Sequence, residues 1–147
     1  MLKFLIIALV SVTLFSNDII IKKSCVSVDA AVQNLKEIVT KKGLSVFVVV
    51  DHTKNAKGVN MKLNDSKEVI FGNPLVGTAL MQEDMTVGLD LPLRILIYKD
   101  VDEKVKIAYR NGTWLASKHP IKASKLIKKV NKGMAMFVSK AGQCKKD

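Results

Sequence analysis

Strand-type and helix-type segments alternate along this chain, and this alternation is the feature that most constrains its fold. Residues 44–50 form an uninterrupted apolar run rich in β-branched side chains, which is typical of a buried strand. Before it, residues 28–39 place apolar side chains at helical spacing, between a capping Ser27 and a terminating Gly43. Similar reasoning predicts further strands at residues 19–21, 67–71, 94–98 and 105–109.

The predicted helices complete an order of β-α-β-α-β-α-β-β-α. A short polar helix follows residue 52, and Asn73 and Pro74 are suited to begin a helix that runs to about residue 85. The turn at residues 100–103 makes a hairpin of the last two strands, and the final helix begins near Lys122. We therefore expect an α+β two-layer sandwich, with a mixed or mostly antiparallel sheet and helices on one face.

The N-terminus resembles an export signal. Lys3 precedes an apolar run over residues 4–15, which is long enough for a signal-peptide core and shorter than the ~20 residues of a membrane span. We predict a signal peptide at residues 1–16, or an uncleaved membrane tether, and one domain over residues 17–147. The expected location is the periplasm or the exterior of the cell. A buried N-terminal helix or strand is the alternative.

The two cysteines, Cys25 and Cys144, lie near the two ends of the expected mature domain. In an oxidising compartment they can pair and tie the termini together. Two free thiols are the alternative, and the long separation between them does not match a metal-binding motif.

The net charge of +11 is concentrated in the C-terminal section. Residues 118–147 carry nine lysines and one aspartate, and only the aromatic residues Trp114 and Phe137 flank this Lys-rich stretch, so we expect no nucleic-acid partner. The last helix is expected to be amphipathic, with a basic side that either contacts an anionic membrane or an acidic partner, or is simply solvated. Gly133 within this helix lowers its intrinsic stability. The basic side consists of Lys122, Lys125, Lys129 and Lys132.

Few residues have the chemistry of a catalytic or metal site. His52 follows a strand directly after Asp51, and the other histidine, His119, lies in a Lys-rich turn where solvent exposure is expected. Imidazole and thioether groups bind haem iron or copper, so His52 and Met81 form one candidate metal site if they converge. Core packing is the more common role of methionine. Covalent c-type haem is excluded, because the chain has no Cys-x-x-Cys-His motif.

Three segments resemble a known family. They are Phe71-Gly72-Asn73-Pro74, Gly77-Thr78-Ala79-Leu80-Met81-Gln82 and Gly88-Leu89-Asp90-Leu91-Pro92-Leu93-Arg94. Together with Asp51-His52 and Ala56 they are similar to the core of the bacterial and archaeal DUF302 family. The resemblance covers most of residues 27–110 and implies a small α+β domain, often dimeric, without an established activity. By position it singles out Asp51, His52, Asn73, Pro74, Met81, Asp90, Pro92 and Arg94.

These residues allow two interpretations. One is a polar pocket formed by His52, Asn73, Asp90 and Arg94 that accepts a small anionic or metal-bearing ligand, with Asp90 and Arg94 as an ion pair. In the other, the same residues only cap helices and shape turns. The first functional hypothesis is an exported, non-enzymatic binding module, as a homodimer, for a small ligand or protein partner. The alternatives are haem or copper binding through His52 and Met81, and a small enzyme with His52 as general base.

Overall fold

The computed structural model describes residues 18–143. The predicted signal peptide, residues 1–16, and Cys144 lie outside the described residues.

The described chain forms five strands and five α-helices, which alternate as far as the fourth strand. A 3-10 helix, Met85–Leu89, precedes the fourth strand, and two helices follow the fifth. The elements are β1 (Ile20–Lys23), α1 (Val28–Lys41), β2 (Ser45–Asp51), α2 (His52–Gly58), β3 (Ser66–Gly72), α3 (Pro74–Glu83), β4 (Leu93–Lys99), β5 (Val105–Tyr109), α4 (Gly112–Lys118) and α5 (Ser124–Ala141).

The five strands form one antiparallel sheet in the order β1-β5-β4-β3-β2. Each strand from β2 to β5 lies beside the next in the chain, and β1 adds to the far edge against β5. The expected α+β fold is confirmed, and its sheet is antiparallel in every described pairing. A register shift between Val46 and Val48 places Phe47 at an irregularity of β2.

Helices α1 and α5 pack together on one face of the sheet and enclose the main core. The inward side chains of the strands, such as Val69, Ile95 and Ile107, are completely buried there. Phe71 of β3 meets Phe137 of α5 edge to face, with 5.7 Å between the ring centroids. This contact joins the sheet to α5.

No helix of the described residues is both long enough and apolar enough to cross a membrane.

Candidate functional site

An apolar cavity of about 570 Å³ lies where α3 and α5 meet one end of the sheet. Its volume falls in the range of small-molecule binding pockets, about 300–1,000 Å³. The cavity is open to solvent on one side, where Phe47 is 54% exposed. Its lining includes three of the segments that resemble the family: Gly72-Asn73-Pro74, Gly77 with Met81, and Gly88 with Leu91-Pro92-Leu93.

Glycine residues, which have no side chain, keep this cavity open. Four of the eight glycines in the chain line it: Gly72, Gly77, Gly88 and Gly133. A Cβ atom on Gly88 would lie 3.1 Å from Sδ of Met81, whereas one on Gly77 or Gly133 would meet only ordinary van der Waals contacts. The space at Gly77 and Gly133 is therefore not needed by neighbouring protein atoms and belongs to the cavity.

The far wall of the cavity is formed by flexible and aromatic side chains of α5. Met134, Met136 and Phe137 line it together with Met81 of α3. Methionine side chains are unbranched and polarisable, so such a wall can adapt to ligands of different shapes. The charged lining residues are Lys42 and Lys129, and both are exposed.

Asn73 and Pro74 begin the helix that forms one cavity wall. The side-chain oxygen of Asn73 accepts hydrogen bonds from the backbone N–H groups of Leu75 (2.9 Å) and Val76 (3.3 Å). Pro74 occupies the first turn, where a missing N–H costs nothing. The predicted capping role is confirmed, and the same two residues also line the cavity. The Leu91–Pro92 peptide bond on the opposite side is cis.

The expectation that His119 is solvent-exposed is wrong, since its side chain is only 9% exposed. Nε2 of His119 lies 2.7 Å from Oδ2 of Asp90, and Nδ1 lies 3.0 Å from Oδ2 of Asp84. The pKa of His119 is raised above 6.5, chiefly by the hydrogen bond to Asp90 and further by Asp84. We name the contacts of Asp84, Asp90 and His119 the histidine clamp, because they connect the two ends of the 3-10 helix to the C-terminal end of α4.

A second contact beside the histidine clamp holds the start of α5. Oε2 of Glu83 accepts hydrogen bonds from the backbone N–H groups of Lys122 and Ala123. Lys122 thus precedes α5 rather than forming part of its basic side, whereas Lys125, Lys129 and Lys132 are exposed on the helix. The Glu83 contact fixes the end of α3 relative to the start of α5, and these two helices form cavity walls.

The expected ion pair between Asp90 and Arg94 is absent from the described part of the chain, because Asp90 contacts His119 instead. Arg94 is in β4 and points away from α1 and α5, since side chains alternate along a strand and Ile95 faces the core that these two helices cover. Both residues line a smaller pocket of about 220 Å³, together with Glu68 and Trp114. Asn73 lines the larger cavity, so the structure does not form one polar pocket from the predicted residues.

Asp51 and His52 lie at the opposite end of the sheet from the cavity. Ser45 pairs with Gly72 at the cavity, whereas Asp51, six residues further along β2, pairs with Lys67. At ~3.3 Å per residue, roughly 20 Å of strand separates the two ends. The Asp51 side chain caps α2 through the N–H of Lys54 (2.8 Å), and this bond and the Lys67 charge lower its pKa.

His52 and Met81 therefore do not converge. His52 begins α2 beyond the end of β2, and Met81 lines the cavity. Across residues 18–143, no group of three or more His, Cys, Asp or Glu side chains is arranged to hold a metal ion. A haem or copper site built from these two residues does not fit this geometry.

Cys25 lies close to the C-terminal end of the described chain. Its backbone N–H donates to the carbonyl oxygen of Gly142 at 3.0 Å. Its predicted partner Cys144 lies outside the described residues, so the disulfide stays a prediction.

Several cavity residues carry no sequence signal of their own. Lys42, which caps α1, and Phe47 of β2 are far in the chain from Met134 of α5, and they meet it only in the folded protein. The one available signal is Gly133, a helix-weakening residue within an otherwise regular amphipathic helix.

Known proteins share the sequence pattern and the architecture of this chain. The sequence pattern of the family described as "Domain of unknown function DUF302" matches residues 20–140. A solved structure described as an uncharacterized conserved DUF302 protein from Bacillus stearothermophilus superimposes with a TM-score of 0.77. The superposition covers 86% of this chain and 99% of that one at 16% sequence identity, so the similarity concerns the fold.

Three relatives are 43% identical to this chain over 79 residues. They are the fluoride-specific ion channels FluC 1 of Brucella suis and Brucella abortus, and FluC 2 of Brucella melitensis. The match covers 54% of this chain but only 31% of the first protein and 29% of the other two. The chain thus spans less than a third of the length of these relatives.

Proposed function

This chain belongs to the DUF302 family, and from that premise we propose that it is an exported, non-enzymatic module that binds a small ligand in its apolar cavity. The main support for ligand binding is that the family-like segments around Asn73, Met81 and Pro92 all line a cavity of about 570 Å³. Such apolar walls supply packing and exclusion of water. The enzyme alternative is less well supported, because His52 lies at the other end of the sheet.

Filling the cavity tests this proposal. In the variant Gly133→Leu, a larger side chain enters the space beside Phe137, and we expect binding of an apolar fluorescent dye to fall at least about tenfold. Ala135→Leu is the matched control, because Ala135 is exposed on the same helix outside the cavity lining. Circular dichroism establishes that both variants fold, and Gly133→Val is a smaller replacement if the leucine variant does not. Equal dye binding by folded cavity variant and control would refute the proposal.

The export part of the proposal rests on the sequence of residues 1–16. We expect the protein recovered from its own host to lie outside the cytoplasm. Its intact mass distinguishes a cleaved signal peptide from a retained tether. Recovery of the full-length chain in the cytoplasmic fraction alone would contradict export.

We further propose that the protein is a homodimer through the face of the sheet opposite α1 and α5. On this face Ile21, Ala108 and Leu96 lie side by side across β1, β5 and β4. Ile21 and Val48 are each 46% exposed. At ~4.8 Å between strands and ~3.3 Å per residue, the face covers roughly 500 Å² per copy, so a pair buries about 1,000 Å², at the lower end for specific interfaces.

Charge on this face favours a second copy as the partner. Glu68 lies opposite Leu96, and Arg94 lies opposite Ile70, so the two charges are diagonal neighbours on β3 and β4. A two-fold axis can place Glu68 of each copy against Arg94 of the other. We expect Glu68→Arg or Arg94→Glu to produce monomers by light scattering, and the double variant to restore the dimer. A monomeric wild-type protein at high concentration would contradict the proposal.

A further inference from the structure

We infer that the cavity ligand is a single-chain amphiphile with an anionic headgroup, of the fatty-acid type. This inference rests on the proposed ligand-binding function and adds the chemical class of the ligand.

The first observation is the distribution of charge around the cavity. The lining residues with formal charge are Lys42, at the C-terminal end of α1, and Lys129, on α5. Both are exposed, whereas Leu80, Met134 and Phe137 of the lining are buried. The cavity thus has an apolar interior and a cationic margin, and no carboxylate side chain lines it. This arrangement is complementary to a ligand with an apolar tail and an anionic head.

The second observation is the chemistry of the interior. The thioether groups of Met81, Met134 and Met136 and the rings of Phe47 and Phe137 provide adaptable apolar contacts for a flexible chain. Polar side chains in the lining are few, and the side-chain oxygen of Asn73 is already occupied by the N–H groups of Leu75 and Val76. A ligand rich in hydrogen-bonding groups would leave many of them unpaired there, which is unfavourable.

The third observation concerns the two lysines themselves. Neither Lys42 nor Lys129 takes part in an ion pair within the described part of the chain, whereas Lys67, Lys99 and Lys106 each do. Their aliphatic stems can line the apolar margin while the ammonium groups remain in water. Such cations can neutralise a carboxylate at the mouth without the cost of burying either charge.

Binding measurements with matched amphiphiles test the inference. Calorimetry with palmitate, hexadecanol and hexadecyltrimethylammonium compares anionic, neutral and cationic heads on one tail. We expect palmitate to bind most tightly and its affinity to fall with added salt, because exposed charges are screened. The double variant Lys42→Gln/Lys129→Gln should weaken palmitate by about three- to tenfold and leave hexadecanol unchanged. Lys128→Gln is the matched control, since Lys128 is exposed on α5 outside the cavity lining.

The possible outcomes separate this inference from the proposed function. If hexadecanol or the cationic amphiphile binds as well as palmitate, the cavity binds ligands but the anionic class is wrong. If none of the three binds and the apolar dye does not bind either, the proposed function itself fails. If raising the protein concentration alone displaces the dye, a second copy covers the cavity, and the inference is overturned.

Discussion

At the scale of single residues, His119 contacts three polar side chains. Both of its ring nitrogens face carboxylates, of Asp90 and Asp84, and the Thr86 hydroxyl lies 3.1 Å from Nδ1. The pKa of Asp84 is lowered, chiefly by the hydrogen bond from the Thr86 hydroxyl, with His119 adding to the effect. Both shifts favour the charged forms of His119 and Asp84.

The histidine clamp predicts a specific pH dependence of stability. Because the folded-state pKa of His119 is raised, its contribution is complete below the ordinary value of 6.5 and is lost as the pH rises through the folded-state pKa. The contribution of Asp84, whose pKa is lowered, is present above 3.8 and is lost as the pH falls through its folded-state value. Urea unfolding at a series of pH values measures both effects.

A variant isolates the histidine part of this dependence. His119→Gln should unfold more easily than the wild type near pH 6 and should show a flatter stability profile above pH 6.5. His52→Gln is the control, because His52 is the other histidine of the chain and begins α2, away from both carboxylates. An unchanged profile in His119→Gln would show that the histidine clamp does not contribute.

At the scale of elements, α3 shows how one residue can serve both folding and the site. Asn73 caps the helix and also lines the cavity, so the capping interpretation is confirmed for this residue and the ligand-binding interpretation stays a prediction. Asp51 caps α2 at the other end of the sheet, away from the cavity. In α5, by contrast, Gly133 lowers the stability of the helix at a position that borders the cavity.

Capping of α3 gives a prediction at this scale. Asn73→Ala removes the acceptor for two backbone N–H groups and should lower the free energy of unfolding by about 1 kcal/mol. Asn73→Asp should retain most of the stability, because aspartate is an equally good cap. Chemical denaturation measures both variants, and equal loss in the two would show that the amide is needed for something other than capping.

Helix α5 gives the complementary prediction. Gly133→Ala should raise the free energy of unfolding by up to about 1 kcal/mol, since alanine has the higher helix propensity and its Cβ meets only Phe137 at 3.5 Å. Thermal unfolding measures this change. A lower stability would mean that Phe137 cannot accept even a methyl group beside it.

At the scale of the whole molecule, the termini are drawn together. Cys25 follows β1 at the sheet edge and is hydrogen-bonded to Gly142 just after α5. A Cβ on Gly142 would lie 2.9 Å from Cδ1 of Ile107 and 3.1 Å from Cα of Ser24, so the chain passes very close to β5 and β1 there. This close approach brings the segment that precedes Cys144 next to Cys25.

This arrangement predicts the effect of the disulfide. If Cys25 and Cys144 pair in the exported protein, the bond closes a loop of about 120 residues, and its loss should cost about 2–5 kcal/mol of unfolding free energy. Cys25→Ser and Cys144→Ser should therefore melt lower than the oxidised wild type and at equal temperatures to each other. Identical melting of wild type with and without reductant would show that the thiols are unpaired.

The features that the sequence predicts correctly are mainly local. The alternation of periodicities, the caps at Ser27 and Asn73, and the hairpin between β4 and β5 depend on residues close in the chain, and all appear in the structure. The family-like segments also pointed to the residues that line the cavity, such as Met81 and Pro92.

Contacts between residues that are distant in the sequence depend on the tertiary fold. His119 contacts Asp90 and Asp84, which lie 29 and 35 residues away in the sequence. Lys42, at the C-terminal end of α1, and Lys129, on α5, line the same cavity. The same packing separates His52 from Met81 by the length of β2. Contacts of this kind depend on strand order and helix docking, which bring distant segments together through burial of apolar surface rather than through any local preference of the chain.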